Sequence, residues 1–143
     1  MRTRIRNERG AALLETAITI PIILLISVGI FEFGRAYQTW QVLTNAAREG
    51  ARVAIITGTT DDQVRNAVRN YMTGGRLTGV DGASISIVRN EAVSGWTSGG
   101  SRITINYPFS FMVLNGVARL VNRNSTAGQP LTMQSVALMR NEG

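Results

Sequence analysis

The sequence predicts an α+β fold: a long N-terminal helix that crosses a membrane and then packs on a small antiparallel sheet with one further helix. Three observations indicate this fold. An apolar run over residues 11–31 contains one charge, Glu15; helical spacing continues to about Ile55; and the C-terminal half alternates apolar and polar residues. We expect a basic leader at 1–10, a transmembrane helix at 11–31 and an extracytoplasmic α+β domain at 32–143.

The leader concentrates positive charge ahead of the apolar run. Arg2, Arg4, Arg6 and Arg9 stand against one acid, Glu8. Positive residues flanking a span stay in the cytoplasm, so we expect a single-pass inner-membrane protein with its C-terminal domain periplasmic or extracellular. Because much of the net charge lies in the leader, we expect no nucleic acid partner.

The apolar run is long enough to span a bilayer. At ~1.5 Å per residue it reaches roughly 30 Å, the thickness of the hydrocarbon core. A cleaved secretory signal is disfavoured because residues 31–37 offer no small-x-small cleavage site. Pro21 removes one backbone donor and predicts a kink, and we expect Thr16 and Thr19 to satisfy backbone groups freed there.

The composition argues against catalysis. The chain has no Cys and no His, which excludes disulfides, thiolate nucleophiles, imidazole bases and the usual zinc sites. Among the nine acids only Asp61 and Asp62 are neighbours, at a predicted helix start. We therefore expect no enzyme activity, no catalytic residue, no cofactor and no metal site.

Beyond the span, the helix carries residues at three- and four-residue steps that we expect to pack on the sheet of the outer domain. They are Phe33, Tyr37, Trp40, Thr44, Ala47, Ala51 and Ala54. Ala46 and Gly50 allow close approach of another backbone. Arg35, near the outer end of the span, is expected to bind lipid headgroups.

The second helix has a clear beginning and end. Thr60 followed by Gln63 predicts a capping box, with Asp61 and Asp62 complementing the helix dipole. The helical pattern stops at Gly74-Gly75.

Three strands follow, around 84–88, 102–107 and 131–140. Pro108 is expected to end the second strand. Residues 111–121 form either a short helix or an apolar loop near the membrane.

Trp96 lies in the long Gly- and Ser-rich loop between the first two strands. A lone aromatic side chain at a hairpin tip is either a contact for a partner or a lid folded back on the sheet. The sequence leaves both alternatives open.

The junction of leader and span resembles type IV pilin-like precursors. These have a basic leader, a Gly before the cleavage point and a Glu at the fifth mature position, which here are Gly10 and Glu15. The resemblance implies that a prepilin peptidase cuts between Gly10 and Ala11. The new ammonium of Ala11 would then pair with Glu15 of a neighbouring subunit in the apolar core of a filament.

The chain resembles the TadE-like family more closely. The resemblance lies in Leu14-Glu-Thr-Ala, Pro21, Gly29-Ile-Phe-Glu-Phe-Gly-Arg35 and Asn45-Ala-Ala-Arg-Glu-Gly-Ala-Arg52, and more weakly in the tail 131–142. It implies a minor pilin or pseudopilin of a tight-adherence (Flp-type) pilus, supporting pilus assembly and surface adhesion. Implied assembly residues are Ala11, Glu15 and Pro21.

The implied partners are the inner membrane, the prepilin peptidase, other pilins or pseudopilins and the assembly platform. Thr16 stands where major pilins of this system commonly have Tyr, which favours a minor component. One alternative is an uncleaved, signal-anchored envelope protein whose outer domain binds a ligand or partner, for which the Gly10 and Glu15 pair would be irrelevant. A type II secretion pseudopilin is disfavoured because the mature chain would begin with Ala11, not an aromatic residue.

Overall fold

The computed structural model describes residues 8–114, 116 and 130–141. The elements in chain order are α1 (Glu8–Ala54), α2 (Asp61–Gly74), a 3-10 turn (Val80–Gly82), β1 (Ser84–Glu91), β2 (Gly100–Phe109) and β3 (Leu131–Arg140). The predicted α+β fold is confirmed: a long N-terminal helix, a second helix and a three-stranded antiparallel sheet.

Helix α1 is a single element of 47 residues with Pro21 inside it. The hydroxyls of Thr16 and Thr19 each donate to the carbonyl four residues back, at 2.8 and 2.7 Å. Neither reaches the carbonyl of Ala17, which is the acceptor that Pro21 cannot serve. The expectation that these threonines compensate for Pro21 is therefore wrong. A Thr hydroxyl in a helix reaches the carbonyl three or four residues before it, and for Thr16 and Thr19 that carbonyl is not the one of Ala17.

The sheet has the order β1-β2-β3, with both pairs antiparallel. The central strand β2 buries alternate side chains, Ile103, Ile105, Tyr107 and Phe109, against the helices. This alternation was predicted over residues 102–107 and is confirmed.

Pro108 lies inside β2 and does not end it. The strand continues to Phe109, and Pro108 pairs with Thr132 of β3. Strand β1 pairs with β2 only as far as Asn106, so Pro108 has a strand on one side alone. A residue without an N–H is tolerated at such an edge position, which explains the longer strand.

The start of α2 has the predicted capping box. The backbone N–H of Gln63 donates to the Thr60 hydroxyl, and the backbone N–H of Thr60 donates to the Gln63 side chain. Asp61 has a further role, because its carboxylate pairs with Arg89 of β1 at 2.8 Å.

Arg89 joins three elements in one place. Besides Asp61, its guanidinium donates to the carbonyl of Ala54, the last residue of α1, at 2.9 Å. It also donates to the carbonyl of Thr59, in the connection to α2, at 3.0 Å. This side chain therefore fixes the end of α1 and the start of α2 against the sheet.

The face of α1 that packs on the domain differs in part from the predicted stripe. Phe33, Tyr37 and Trp40 are 78%, 60% and 51% exposed, so the first half of that stripe is wrong. Ala47, Ala51 and Ala54, in its second half, are buried as expected.

Over the first half of the stripe the buried face lies one residue earlier, which is a rotation of ~100° about the helix axis. The whole buried face is formed by Glu32, Thr39, Leu43, Ala46 and Gly50, together with those alanines. Small side chains dominate this contact, which lets α1 approach α2 and the sheet closely; large aromatic rings would hold them apart.

Gly50 is one of the tightest points of this contact. A Cβ atom placed there would lie 2.5 Å from Cγ2 of Val68 in α2 and 3.4 Å from Cγ2 of Ile103 in β2. Val68 is branched at Cβ and fully buried, so it has little freedom to move aside.

Gly50→Ala should lower the free energy of unfolding by about 1–3 kcal/mol relative to Gly34→Ala, through overpacking. Gly34 is the matched control, because it lies in the same helix with nothing within 4 Å of an added Cβ. Both changes gain the same helix propensity, so their difference isolates the steric effect. The measurement is denaturant unfolding of the full chain in detergent, and equal stabilisation by both variants would contradict the packing at Gly50.

Candidate functional site

The sequence-predicted site residues Gly10, Ala11 and Glu15 lie in the first turns of α1, and all three are exposed. Ala11 and Glu15 are four residues apart and therefore lie on one face of the helix. Among residues 8–114 and 130–141, the Glu15 carboxylate has no hydrogen-bond or ion-pair partner. The first turns of α1 thus present an uncompensated charge on the outside of the chain.

Glu15 lies in the apolar part of α1, on which no other described part of the chain packs. The most apolar window of α1 has a mean hydropathy of 2.2, and none of it is buried against the rest of the described chain. The Leu and Ile side chains from Leu13 to Ile30 are exposed, on both sides of Pro21. This one helix fits a single-pass membrane anchor.

Where the apolar run ends, the structure buries a carboxylate. Glu32, the residue after Phe31, is 2% exposed. Its Oε1 accepts hydrogen bonds from the backbone N–H groups of Val113 and Leu114, at 2.5 and 3.4 Å. Its Oε2 pairs with Nη1 of Arg35 at 2.9 Å. The carboxylate therefore ties the segment after β2 to the end of the span.

Arg35 completes this arrangement from the other side. Its Nη2 donates to the carbonyl of Ser110 at 3.2 Å, and its guanidinium carbon lies 5.2 Å from the centre of the Phe109 ring. The rings of Phe109 and Phe111 meet edge to face at 5.2 Å. Arg35 thus turns inward onto the protein, whereas the sequence suggested that it faces lipid headgroups. We call Glu32, Arg35 and residues 109–114 the exit clamp.

Sequence reasoning missed the role of Glu32, although part of the signal was present. Glu32 and Arg35 are three residues apart on a helix, the spacing of an ion pair, and Glu32 lies between two Phe residues at the end of an apolar run. That an acid there requires a neutralising partner is a physical inference available from the sequence. The other donors, in residues 113–114, are not identifiable by spacing.

Trp96 is half-buried at the opposite end of the sheet. A Cβ atom on Gly100 would lie 2.9 Å from Cζ3 of the Trp96 ring, so the ring rests on the start of β2 and Gly100 makes room for it. This is the geometry of the lid alternative. The exposed part of the ring still leaves a surface for the predicted partner contact, which stays a prediction.

Two further ion pairs are exterior and structural. Glu91 accepts two hydrogen bonds from Arg102 across β1 and β2, at 2.6 and 2.8 Å, and these bonds lower the pKa of Glu91. The Arg52 guanidinium likewise lowers the pKa of Glu49 through hydrogen bonds within α1. Exposed pairs of this kind contribute little to stability.

A cleft of about 400 Å³ lies beside Arg35, between α1, the turn after α2 and the end of β2. In the described part of the chain its lining includes Arg35 and Arg76 and no carboxylate. Its charge suits an anion and not a metal cation. Across the same described residues, no three acidic side chains cluster as metal ligands would.

Comparison with protein families confirms the resemblance noted in the sequence. The model of the TadE-like protein family matches residues 10–52, which is the described part of α1 from Gly10 almost to its end. The match includes Glu15, Pro21, the Glu32–Arg35 pair and the small-residue block around Gly50. Comparisons with curated proteins and with solved structures gave no match.

Glu32→Gln should lower the free energy of unfolding by about 1–3 kcal/mol, because an amide NH₂ then faces Arg35 and the part-buried guanidinium loses its anion. The matched control is Glu49→Gln, which alters the exposed pair at the same three-residue spacing on the same helix. That control should cost less than about 0.5 kcal/mol. Hydrogen exchange at the amides of Val113 and Leu114, with unfolding of the full chain, is the measurement. Equal effects of the two variants would contradict the clamp.

Proposed function

We propose that this chain, whose N-terminal helix matches the TadE-like family over residues 10–52, is a minor pilin or pseudopilin of a tight-adherence pilus. The observation that carries the proposal is Glu15, which is exposed on an uncovered apolar helix and has no partner among the residues that the structure describes. A carboxylate in hydrocarbon is costly, so a position of this kind calls for a partner outside the chain. The role is structural, in pilus assembly and surface adhesion, and not enzymatic.

Processing by a prepilin peptidase at the Gly10–Ala11 bond is the first step of the proposed pathway. Three features together support this cleavage: the basic leader, Gly10 and the apolar helix. The pattern of pilin-like precursors requires each of them. Cleavage removes the four leader Arg residues and leaves an ammonium on Ala11, one helical turn before Glu15.

The proposed orientation follows from the same charges. Arg residues before the span keep the leader in the cytoplasm, so the sheet domain lies outside the inner membrane. The prepilin peptidase, other pilins or pseudopilins and the assembly platform are then the partners at the membrane. From there the chain is extracted into a pilus.

Assembly places the charged end of α1 in an apolar filament core. The Ala11 ammonium of one subunit pairs with Glu15 of its neighbour, and this pair sets the axial stagger because either charge alone is costly there. Pro21 withholds a donor from the carbonyl of Ala17, and a helix that is weaker at this point adapts more easily to its neighbours.

The second candidate is an uncleaved, signal-anchored envelope protein with a ligand-binding outer domain. The cleft beside Arg35 and Arg76 is the observation that favours it: Arg35 is paired with Glu32, so Arg76 is the charge in the lining that attracts an anion. The two candidates differ in the fate of residues 1–10, which remain attached only in the second.

In cells with an active prepilin peptidase, the mature chain should begin at Ala11, as read by intact mass and N-terminal sequencing of the membrane fraction. Gly10→Leu should abolish cleavage, because the peptidase acts after a residue without a side chain. Gly29→Leu is the matched control in the same helix and should be cleaved normally. Full-length protein from unsubstituted cells would favour the signal-anchored alternative.

Glu15→Gln should leave insertion and cleavage intact but reduce incorporation into pili. Removing one partner of a buried pair costs on the order of 3–5 kcal/mol, which disfavours docking of each subunit. Glu49→Gln, an exposed charge on the same helix, is the control. A complementation assay scores cleavage and piliation separately. Normal piliation of the Glu15→Gln strain would exclude the pairing mechanism and indicate a helper that does not enter the filament.

A further inference from the structure

Four consecutive apolar residues, 111–114, follow the last residue of β2 and its neighbour Ser110. Met112 is 71% exposed and Val113 is 38% exposed, while Phe111 packs partly on the core. Within the described chain, most of the Met112 side chain thus faces the surroundings, and it also borders the cleft beside Arg35. Exposed apolar clusters of this kind usually mark a contact with something else.

The exit clamp fixes the height of this segment along α1. The backbone N–H of Val113 donates to Glu32, and Glu32 directly follows Phe31, where the apolar run of α1 ends. One helical residue is ~1.5 Å of rise, so the segment lies level with the boundary between hydrocarbon and headgroups. The exposed ring of Phe33 lies at the same level.

The same clamp satisfies three backbone polar groups of this segment that a lipid environment would penalise. Irregular backbone is tolerated in or near hydrocarbon only where its N–H and C=O groups have partners. The N–H groups of Val113 and Leu114 bind the Glu32 carboxylate, and the carbonyl of Ser110 binds Arg35. Glu32 and Arg35 neutralise one another at 2.9 Å, so neither enters the boundary as an isolated charge.

We propose that residues 111–113 are a second membrane contact, an apolar wedge that lies in the outer leaflet beside the exit of α1. Its occupant is lipid, because the segment is continuous with the end of the span at the same level. With two contacts, the span and the wedge, the outer domain has a fixed tilt on the membrane before assembly. The inference rests on the membrane anchorage included in the proposed function.

The absence of Cys from the sequence permits a direct test with single labels. The full chain carrying Met112→Cys is labelled with an environment-sensitive fluorophore and reconstituted in vesicles of phosphatidylcholine and phosphatidylglycerol. Ser94→Cys, in the hairpin at the far end of β2, is the aqueous reference. Ile26→Cys, inside the span, is the lipid reference.

The Met112 label should be quenched by iodide at least about threefold more weakly than the Ser94 label, and strongly by lipids spin-labelled near the headgroup. Adding Glu32→Gln should increase iodide quenching at Met112, because the amide loses the ion pair with Arg35 and its oxygen is a weaker acceptor for the N–H groups of Val113 and Leu114; Glu49→Gln should not. Quenching by the spin-labelled lipids would show that the Met112 label contacts lipid. A partner of another kind is excluded, since the vesicles contain no protein other than this chain.

Two results would overturn the proposal, and they are distinguishable. If the Met112 label behaves like Ser94 while the Ile26 label is lipid-protected, the anchor holds and the wedge is wrong; a second subunit would then be the partner to test. If the Ile26 label is also open to iodide, the anchorage itself fails, and the wedge with it. Protection of Met112 that survives Glu32→Gln would overturn the role of the clamp in setting its depth.

Discussion

The neutralisation of Glu32 is the constraint on which the membrane-proximal half of the domain depends. A carboxylate directly after an apolar run cannot be left unpaired near hydrocarbon, and the chain supplies Arg35 from the same helix and two backbone donors from a distant segment. Those bonds bring the end of β2 to α1, and Arg35 extends the contact to the Phe109 ring. The buried Glu32 carboxylate thereby holds the end of the sheet against α1 and fixes the position of Met112 beside that helix.

The other half of the domain depends on close approach and not on charge. Small residues on α1, with Gly50 among the tightest points, let the helix lie close against α2 and β2. Dispersion and burial of apolar surface stabilise this contact, and Arg89 fixes its far end. The TadE-like match ends at residue 52, inside this region. It therefore covers the Glu32–Arg35 pair and Gly50 on α1, and none of the sheet residues that they contact.

The sequence predicted what depends on neighbouring residues. The capping box at Thr60 and the alternation in β2 are local patterns, and both are present. The sequence-based prediction failed where a small rotation of a helix, or the length of a neighbouring strand, determines the result. The aromatic stripe was assigned one residue away from the buried face, and the end of β2 depended on how far β1 extends. The Glu32 contact spans 81 residues of sequence, a separation that no periodicity reveals.

Two carboxylates on one helix show how the chain divides its contacts between itself and its surroundings. Glu32 and Glu15 both border or enter the apolar run, where an unpaired carboxylate carries a desolvation cost. Glu32 is satisfied within the chain, so its environment is complete when the domain folds. Glu15 is exposed, and in the described residues nothing pairs with it. A charge satisfied internally fixes a fold, whereas a charge left for a neighbour makes association depend on that neighbour. The same helix therefore folds the domain at one end and, through the proposed pairing, selects its partners at the other.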